Sequence, residues 1–292
     1  MNRTPRLAAQ HRILFAAIVP VLLGISLVFQ PPLIWQIIAL GPLVAALGLP
    51  HGALDHRVAT VLWPLTTLRY HSIFVAGYVG LAIAVLALWV IAPSIALAAF
   101  LIYSALHFSD DWRADLGLLQ SLPLGISVIA LPALVFQSDV ASLFGYLTSE
   151  PTAPLFAALL HKTAIAAIIA SALCLVVNLR RAPWVAVEYA LLVATALITP
   201  PLIYFVIYFC ALHSPRHFLL TADLLDLTPL QGVIAALPIL VATLAITAFG
   251  AILLAVFTSA FEPATLQIVF IGLAALTVPH MILSAMFRSV HQ

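Results

Sequence analysis

Apolar stretches of about 20 residues follow one another along this chain, separated by prolines and short polar segments. A helix of that length crosses a hydrocarbon core roughly 30 Å thick. Hydropathy places ten spans, at 12–29, 33–50, 70–92, 94–110, 116–136, 154–178, 184–199, 201–218, 230–257 and 264–287. Pro31-Pro32, Pro93, Pro151, Pro154, Pro183, Pro200-Pro201, Pro229 and Pro263 punctuate them. Backbone groups in lipid must be bonded within the segment, so the spans are helices; a β-barrel would show short alternating runs. The fold class predicted is all-α, a polytopic transmembrane helical bundle. Four spans, 33–50, 94–110, 184–199 and 201–218, are short, and re-entrance of one or two gives eight to ten crossings, with ten preferred. The stretch 137–153 reads as the only long loop. No internal repeat or soluble domain is evident, so residues 1–292 form a single integral membrane domain.

The basic residues orient this bundle. Arg3, Arg6 and Arg12 precede the first span, and Arg57 and Arg69 lie between the second and third. Arg113 follows the fourth, Arg180 and Arg181 the sixth; Arg216 lies near the end of the eighth, and Arg288 closes the tenth. With ten crossings all of these share one face, which predicts cytoplasmic termini; only Lys162, inside a span, departs. The basic N-terminus reads as the start of a retained first helix, because no small-residue cleavage site follows it.

Composition agrees: 64% of residues are hydrophobic and 7% charged, against about 25% charged in soluble domains. The chain is expected to be a multi-pass protein of the cell (inner) membrane, solvated by its lipid. A net charge of +1 carries no nucleic-acid footprint. Cys174 and Cys210 lie in apolar runs and form no zinc or disulfide pattern.

The scarce polar residues cluster. LGLPHGALDHR closes the second span with His51, Asp55 and His56, HFSDDW closes the fourth with His107 and Asp111, HSPRH carries His213 and His217, and VPHMIL carries His280. All fall toward the same leaflet. Glu188 joins them, roughly 6 Å into the seventh span at the rise of a helix. Ionisable groups inside a membrane are costly and face a bundle interior or cavity. Several neutral imidazoles meeting there suit a borderline transition metal.

His213 and His217 are spaced i,i+4, one face of a helix, although Pro215 between them disturbs that turn; Ser214 capping a new helix is one way to accommodate it. His51 and Asp55, like His107 and Asp111, share the same spacing. A carboxylate there can orient a ligand histidine, ligate directly, or, with Asp110 and Asp115, simply solvate a loop. His56 has the weaker claim, being turned about 100° from a ligating position. Glu188 reads as an acceptor for a ligand histidine, a partner for Arg216, or an interface-facing acid. His11, His71, His161 and His291 read as interfacial residues.

LPHGALDH, a downstream HF followed by acids, YFCALHSPRH after PPLIYF, and a late PHMIL, in that order from about residue 47 to 287, resemble the Brp/Blh family of bacterial and archaeal carotene dioxygenases. The resemblance implies cleavage of β-carotene by O₂ at its central double bond into two molecules of all-trans-retinal, with Fe(II) held by histidines. The implied ligands are His51, His107, His213 and His217, with His280 beside them as a further ligand or pocket residue. Tyr103, Phe108, Tyr204, Phe205, Tyr208 and Phe209, near these histidines, are candidates to line a substrate tunnel, or are ordinary packing. A microbial rhodopsin would be a consumer of the retinal. The alternatives are a hydroxylase- or desaturase-like membrane iron enzyme, which would need an HxxHH cluster that is absent here, a histidine-based metal transporter, and a b-type haem protein.

Overall fold

The computed structural model describes residues 4–148, 151–257 and 261–291. They form helices throughout, with no strand among the described residues. The helices are α1 (Thr4–Val28), α2 (Leu33–Leu43), α3 (Asp55–Leu62), α4 (Leu68–Ile91), α5 (Pro93–Leu116), α6 (Leu118–Ala130), α7 (Pro132–Val135), α8 (Gln137–Leu147), α9 (Ala153–Asn178), α10 (Pro183–Ile198), α11 (Pro201–Val206), α12 (Ser214–Leu224), α13 (Pro229–Phe257) and α14 (Phe261–His291).

Among the described residues, six helical segments are long and apolar enough to cross a membrane: Arg6–Val28, Leu33–Leu62, Leu68–Ile91, Ala153–Asn178, Pro229–Gly250 and Phe261–Ser289. The chain is a membrane helical bundle, apolar on its outer surface as well as in its core. On α4 only Trp89 is buried among the described residues, while Ile73, Val75, Ile83, Val90 and Ile91 face outward. Four of the ten sequence spans do not correspond to one long apolar helix. Segment 94–110 lies in α5, which carries Asp110, Asp111, Arg113 and Asp115 in its last turns. Segment 116–136 breaks between α6 and α7; 184–199 is the 16-residue α10; 201–218 is interrupted at Ile207. The span read as 33–50 runs on to Leu62 through two irregular turns. The stretch read as a loop at 137–153 contains α8, an 11-residue helix covering α9.

The irregular turns matter most. A π-helical turn, Val44–Gly48, and a 3₁₀ turn, Leu49–Leu54, separate α2 from α3, and a second π turn, Ile207–His213, separates α11 from α12. Non-helical or widened backbone at membrane depth is tolerated where it is buried in protein, and π turns often mark functional sites. Both are packed into the main core with Phe108, Trp112 and Tyr208.

Around them the bundle is held by small-residue contacts and hydroxyl bridges, as expected where lipid removes the hydrophobic driving force between helices. Tyr189 on α10 donates to Ser127 on α6 at 2.9 Å, and Ser127 meets Ser171 on α9 at 3.2 Å. Gly117, at φ 78°, turns α5 directly into α6. Gly125 then brings α6 against the α5 backbone: an added Cβ would lie 2.3 Å from the Ala105 carbonyl oxygen and 2.6 Å from the Ser109 nitrogen. Backbone cannot swing aside as a side chain can. Gly125→Ala is therefore expected to destabilise the protein by about 2 kcal/mol or more. Because α5 also carries His107 and Asp111, retention of the metal expected from the sequence should fall with it. Thermal unfolding in detergent checks this; an unchanged midpoint would show that the helices part freely.

Candidate metal centre

Five imidazoles and two carboxylates meet where the broken segments approach α5 and α14. His51 sits in the 3₁₀ turn and Asp55 opens α3. His107 and Asp111 lie one turn apart on α5, and His280 follows Pro279 within α14. His213 ends the second π turn and His217 lies one turn further, on α12. Ring centroids are 4.5 Å apart for His213–His217, 4.7 Å for His107–His213, 5.0 Å for His51–His280, 5.4 Å for His51–His213 and 5.7 Å for His107–His280. The donor atoms form two groups, His51/His107/His280 and Asp111/His213/His217, within 4.8 Å inside each. The four ligands expected from sequence are thus in one place, two in each group.

Oxygen acceptors hold the rings from behind. His51 Nδ1 lies 2.5 Å from the Gly48 carbonyl and 3.0 Å from Ser214 Oγ, which itself donates to Gly48 O at 2.7 Å. Ser214 therefore ties the end of the second π turn to the end of the first and to His51; it makes no side-chain cap on α12, which corrects the capping expectation. Pro215 does stand in the first turn of α12, where its missing N–H costs nothing. His213 Nδ1 is 3.2 Å from Asp111 Oδ1, and His217 Nε2 is 3.1 Å from the same oxygen. His280 Nδ1 is 2.8 Å from Asp55 Oδ1. A carboxylate or carbonyl on one ring nitrogen fixes the tautomer and turns the other toward a metal.

The arrangement leaves polar atoms that only a further group satisfies. His213 Nε2 and His107 Nδ1 are buried with no hydrogen-bond partner. An unpaired buried nitrogen costs about 1–3 kcal/mol, and coordination removes that cost. Imidazole-rich sites suit iron, zinc, copper or nickel, so these residues fit a transition-metal ion.

An apolar cavity of about 320 Å³ reaches this centre. His51, Asp55 and His280 stand at its polar end, and Phe74, Val79, Ile239 and Leu273 line its apolar length. A smaller cavity of about 130 Å³ lies against Phe108, Tyr204, Phe205, Tyr208 and Phe270. Phe209, in the first cavity, stacks on Phe205, in the second, at 5.2 Å and 13°. It also stacks on His213 at 5.6 Å. Five of the six aromatics named from sequence thus line one cavity or the other. Tyr103 is the exception; its hydroxyl donates to the Val278 carbonyl at 2.9 Å.

A profile of the beta-carotene 15,15'-dioxygenase family matches residues 42–288, a range that contains all of these groups. The chain belongs to that family. The beta-carotene 15,15'-dioxygenase of the uncultured marine bacterium 66A03 is 34% identical over 252 residues, covering 82% of this chain and 90% of the relative. No solved structure matches. Membership makes the protein an enzyme, a carotenoid dioxygenase, rather than a transporter or an electron-transfer haem protein.

In this dioxygenase Glu188 does not accept from a histidine of the cluster. It is fully buried, takes the Trp112 indole N–H at 2.9 Å and Arg216 at 2.5 Å, and lies 3.5 Å from Arg12. Arg216 in turn donates to the Asp111 carbonyl at 2.8 Å, and Arg12 also pairs with Asp115. His56 bonds the Ala53 carbonyl at 3.1 Å and lines the cavity, outside both donor groups. His11, read from sequence as interfacial, is instead buried and bonds Ala211 O of the second π turn at 2.9 Å, because α1 packs against that turn. His71 bonds Thr67 O at 3.1 Å and His161 bonds Ala133 O at 3.0 Å, and all three lie outside both donor groups. The side chain of His291 lies outside the described residues. Tyr78, whose hydroxyl donates to Asp55 at 2.8 Å, was not foreseen: it stands alone in the apolar run IFVAGYVG.

Proposed function

We propose that this enzyme cleaves β-carotene with O₂ at the central double bond, giving two molecules of all-trans-retinal, and that Fe(II) is held by His51, His107, His213 and His217. The observation that carries the reading is the convergence of buried imidazoles, two of them with orphaned nitrogens, at the polar end of an apolar cavity. The name of the marine relative supports the substrate and the bond. Iron when bound would supply the one-electron chemistry that O₂ requires.

The protein's own residues do the rest. Gly48 O and Asp111 keep the ligand rings turned inward. Phe209 and Leu273 hold a hydrocarbon against the centre and exclude water. A long rod with its middle bond at the centre needs room beyond the metal; His51 and His280 line one apolar cavity, and Phe108 and Tyr208, whose rings pack on His213, line the other. Holding the polyene in register selects one double bond from many similar neighbours. No side chain need act as an acid or a base. The substrate dissolves only in lipid, which supports a location in the cell (inner) membrane; the chain acts there as one multi-pass domain, and a microbial rhodopsin would consume the retinal.

Expression in bacteria that accumulate β-carotene is expected to bleach the cells and yield retinal, identified by chromatography. Under ¹⁸O₂ both aldehyde oxygens should carry label if trapped by reduction before exchange with water. Shortened apocarotenals in place of retinal would move the cleaved bond, and a hydroxylated carotenoid would overturn the proposed reaction.

A further inference from the structure

We infer that His280 is a fifth imidazole ligand, held to the metal by an Asp55–Tyr78 brace, and that neither carboxylate of the centre coordinates the ion; this rests on the metal-centre reading above. Three imidazoles share one arrangement. His51, His213 and His280 each turn Nδ1 onto an oxygen, Gly48 O, Asp111 and Asp55 respectively, which leaves Nε2 for the centre. His280 Nε2 has only a long contact, 3.5 Å to Ser284 Oγ. Its donor lies within 4.8 Å of those of His51 and His107.

The carboxylates are occupied. Asp111 accepts from Tyr208 at 2.6 Å as well as facing His213 and His217. Asp55 takes the Tyr78 hydroxyl on Oδ2 at 2.8 Å, so Oδ1 is left for His280. Both acids therefore stand behind imidazoles. The backbone around His280 is also fixed: Pro279 precedes it, and Tyr103 bonds the carbonyl of Val278. Five imidazoles would leave room for one further donor on an ion that takes six, and O₂ would need that place.

The test uses the full chain purified in detergent and loaded anaerobically with Fe(II), or with Co(II) for its visible spectrum. Metal per chain, affinity against a chelator, and the Co(II) bands are measured for the wild type, His280→Ala, Asp55→Asn and Tyr78→Phe. The wild type is expected to bind one ion. His280→Ala should bind it about 100-fold more weakly with altered bands, and the two brace variants about 10-fold more weakly. Tyr78→Phe removes one hydroxyl only, so it keeps the test decisive should His280→Ala fail to fold. Wild-type affinity and bands in His280→Ala, or in both brace variants when that protein does not fold, would overturn the inference while leaving the four-histidine centre standing. Two ions per wild-type chain would also overturn it, because the two donor groups would then be separate sites. A wild type that binds no metal would sink the centre itself.

Discussion

His213→Ala is expected to purify with little iron and to form no measurable retinal, a loss of well over 100-fold. Losing an outer hydrogen-bond partner of a metal ligand typically costs 10–100-fold, and His213 is closer than that. Its side chain is fully buried and packs on His107, His217, Phe108, Tyr208 and Phe209. It also carries the orphaned Nε2. Alanine removes the donor, leaves a cavity among these rings, and takes away one of the N–H groups facing Asp111. Stability should fall as well, by about 3 kcal/mol on the scale of aromatic-to-alanine core changes. Iron content by elemental analysis and retinal by chromatography check the first effect. His71→Ala is the control, since that ring is exposed and bonds only its own helix. Full iron and full activity in His213→Ala would remove His213 from the centre.

Glu188→Leu is expected to be the most damaging substitution away from the imidazoles. Glu188 is the shared acceptor for Trp112 and Arg216 and lies near Arg12. Removing one partner of a buried ion pair leaves an uncompensated charge, at about 3–5 kcal/mol. Here the Trp112 N–H is orphaned too. The double variant Glu188→Leu with Arg216→Met should recover most of the lost stability, because the unpaired cation goes with its partner. It should not recover full metal affinity, since Arg216 also donates to the backbone carbonyl of Asp111, whose carboxylate faces His213 and His217. Unfolding midpoints of the four proteins in one detergent measure the coupling. Additive effects would show that the pair is independent and that Glu188 acts by packing alone.

Much of this centre was legible in the sequence because a membrane makes polar residues conspicuous. His51, His107, His213, His217 and His280 stand out in a 64% hydrophobic chain, and the i,i+4 spacing of His107 with Asp111 survives in the structure as a position one turn apart. Spacing does not say which partner a carboxylate chooses: Asp55 turns to a histidine 225 residues away rather than to His51. Glu188 was open between a histidine and Arg216, and only the approach of α10, α12 and α1 decides it. The π turns left no local signature, because Val44–Gly48 and Ile207–His213 read as ordinary apolar helix and widen only under packing against each other. Hydropathy misjudged α8 because QSDVASLFGYL is half polar, and misjudged α5 at its charged end because its acids point into the protein rather than marking a loop. Tyr78 was silent for the opposite reason: tyrosine in an apolar run reads as packing, and its one hydrogen bond needs α3 beside α4.

The bond between Asp55 and His280 also has a bearing on time. It joins residues 225 positions apart, so it cannot form until the last helix has been made. At a synthesis rate of 5–20 residues per second, those positions leave the ribosome roughly 10–50 s apart. For most of that interval the nascent chain carries His51, joined by His107 and later by His213 and His217, without α14 to enclose them. Maturation of the centre is thus a late event in the life of the polypeptide, and a chain truncated before α14 would be inserted in the bilayer yet lack the wall that closes the cavity.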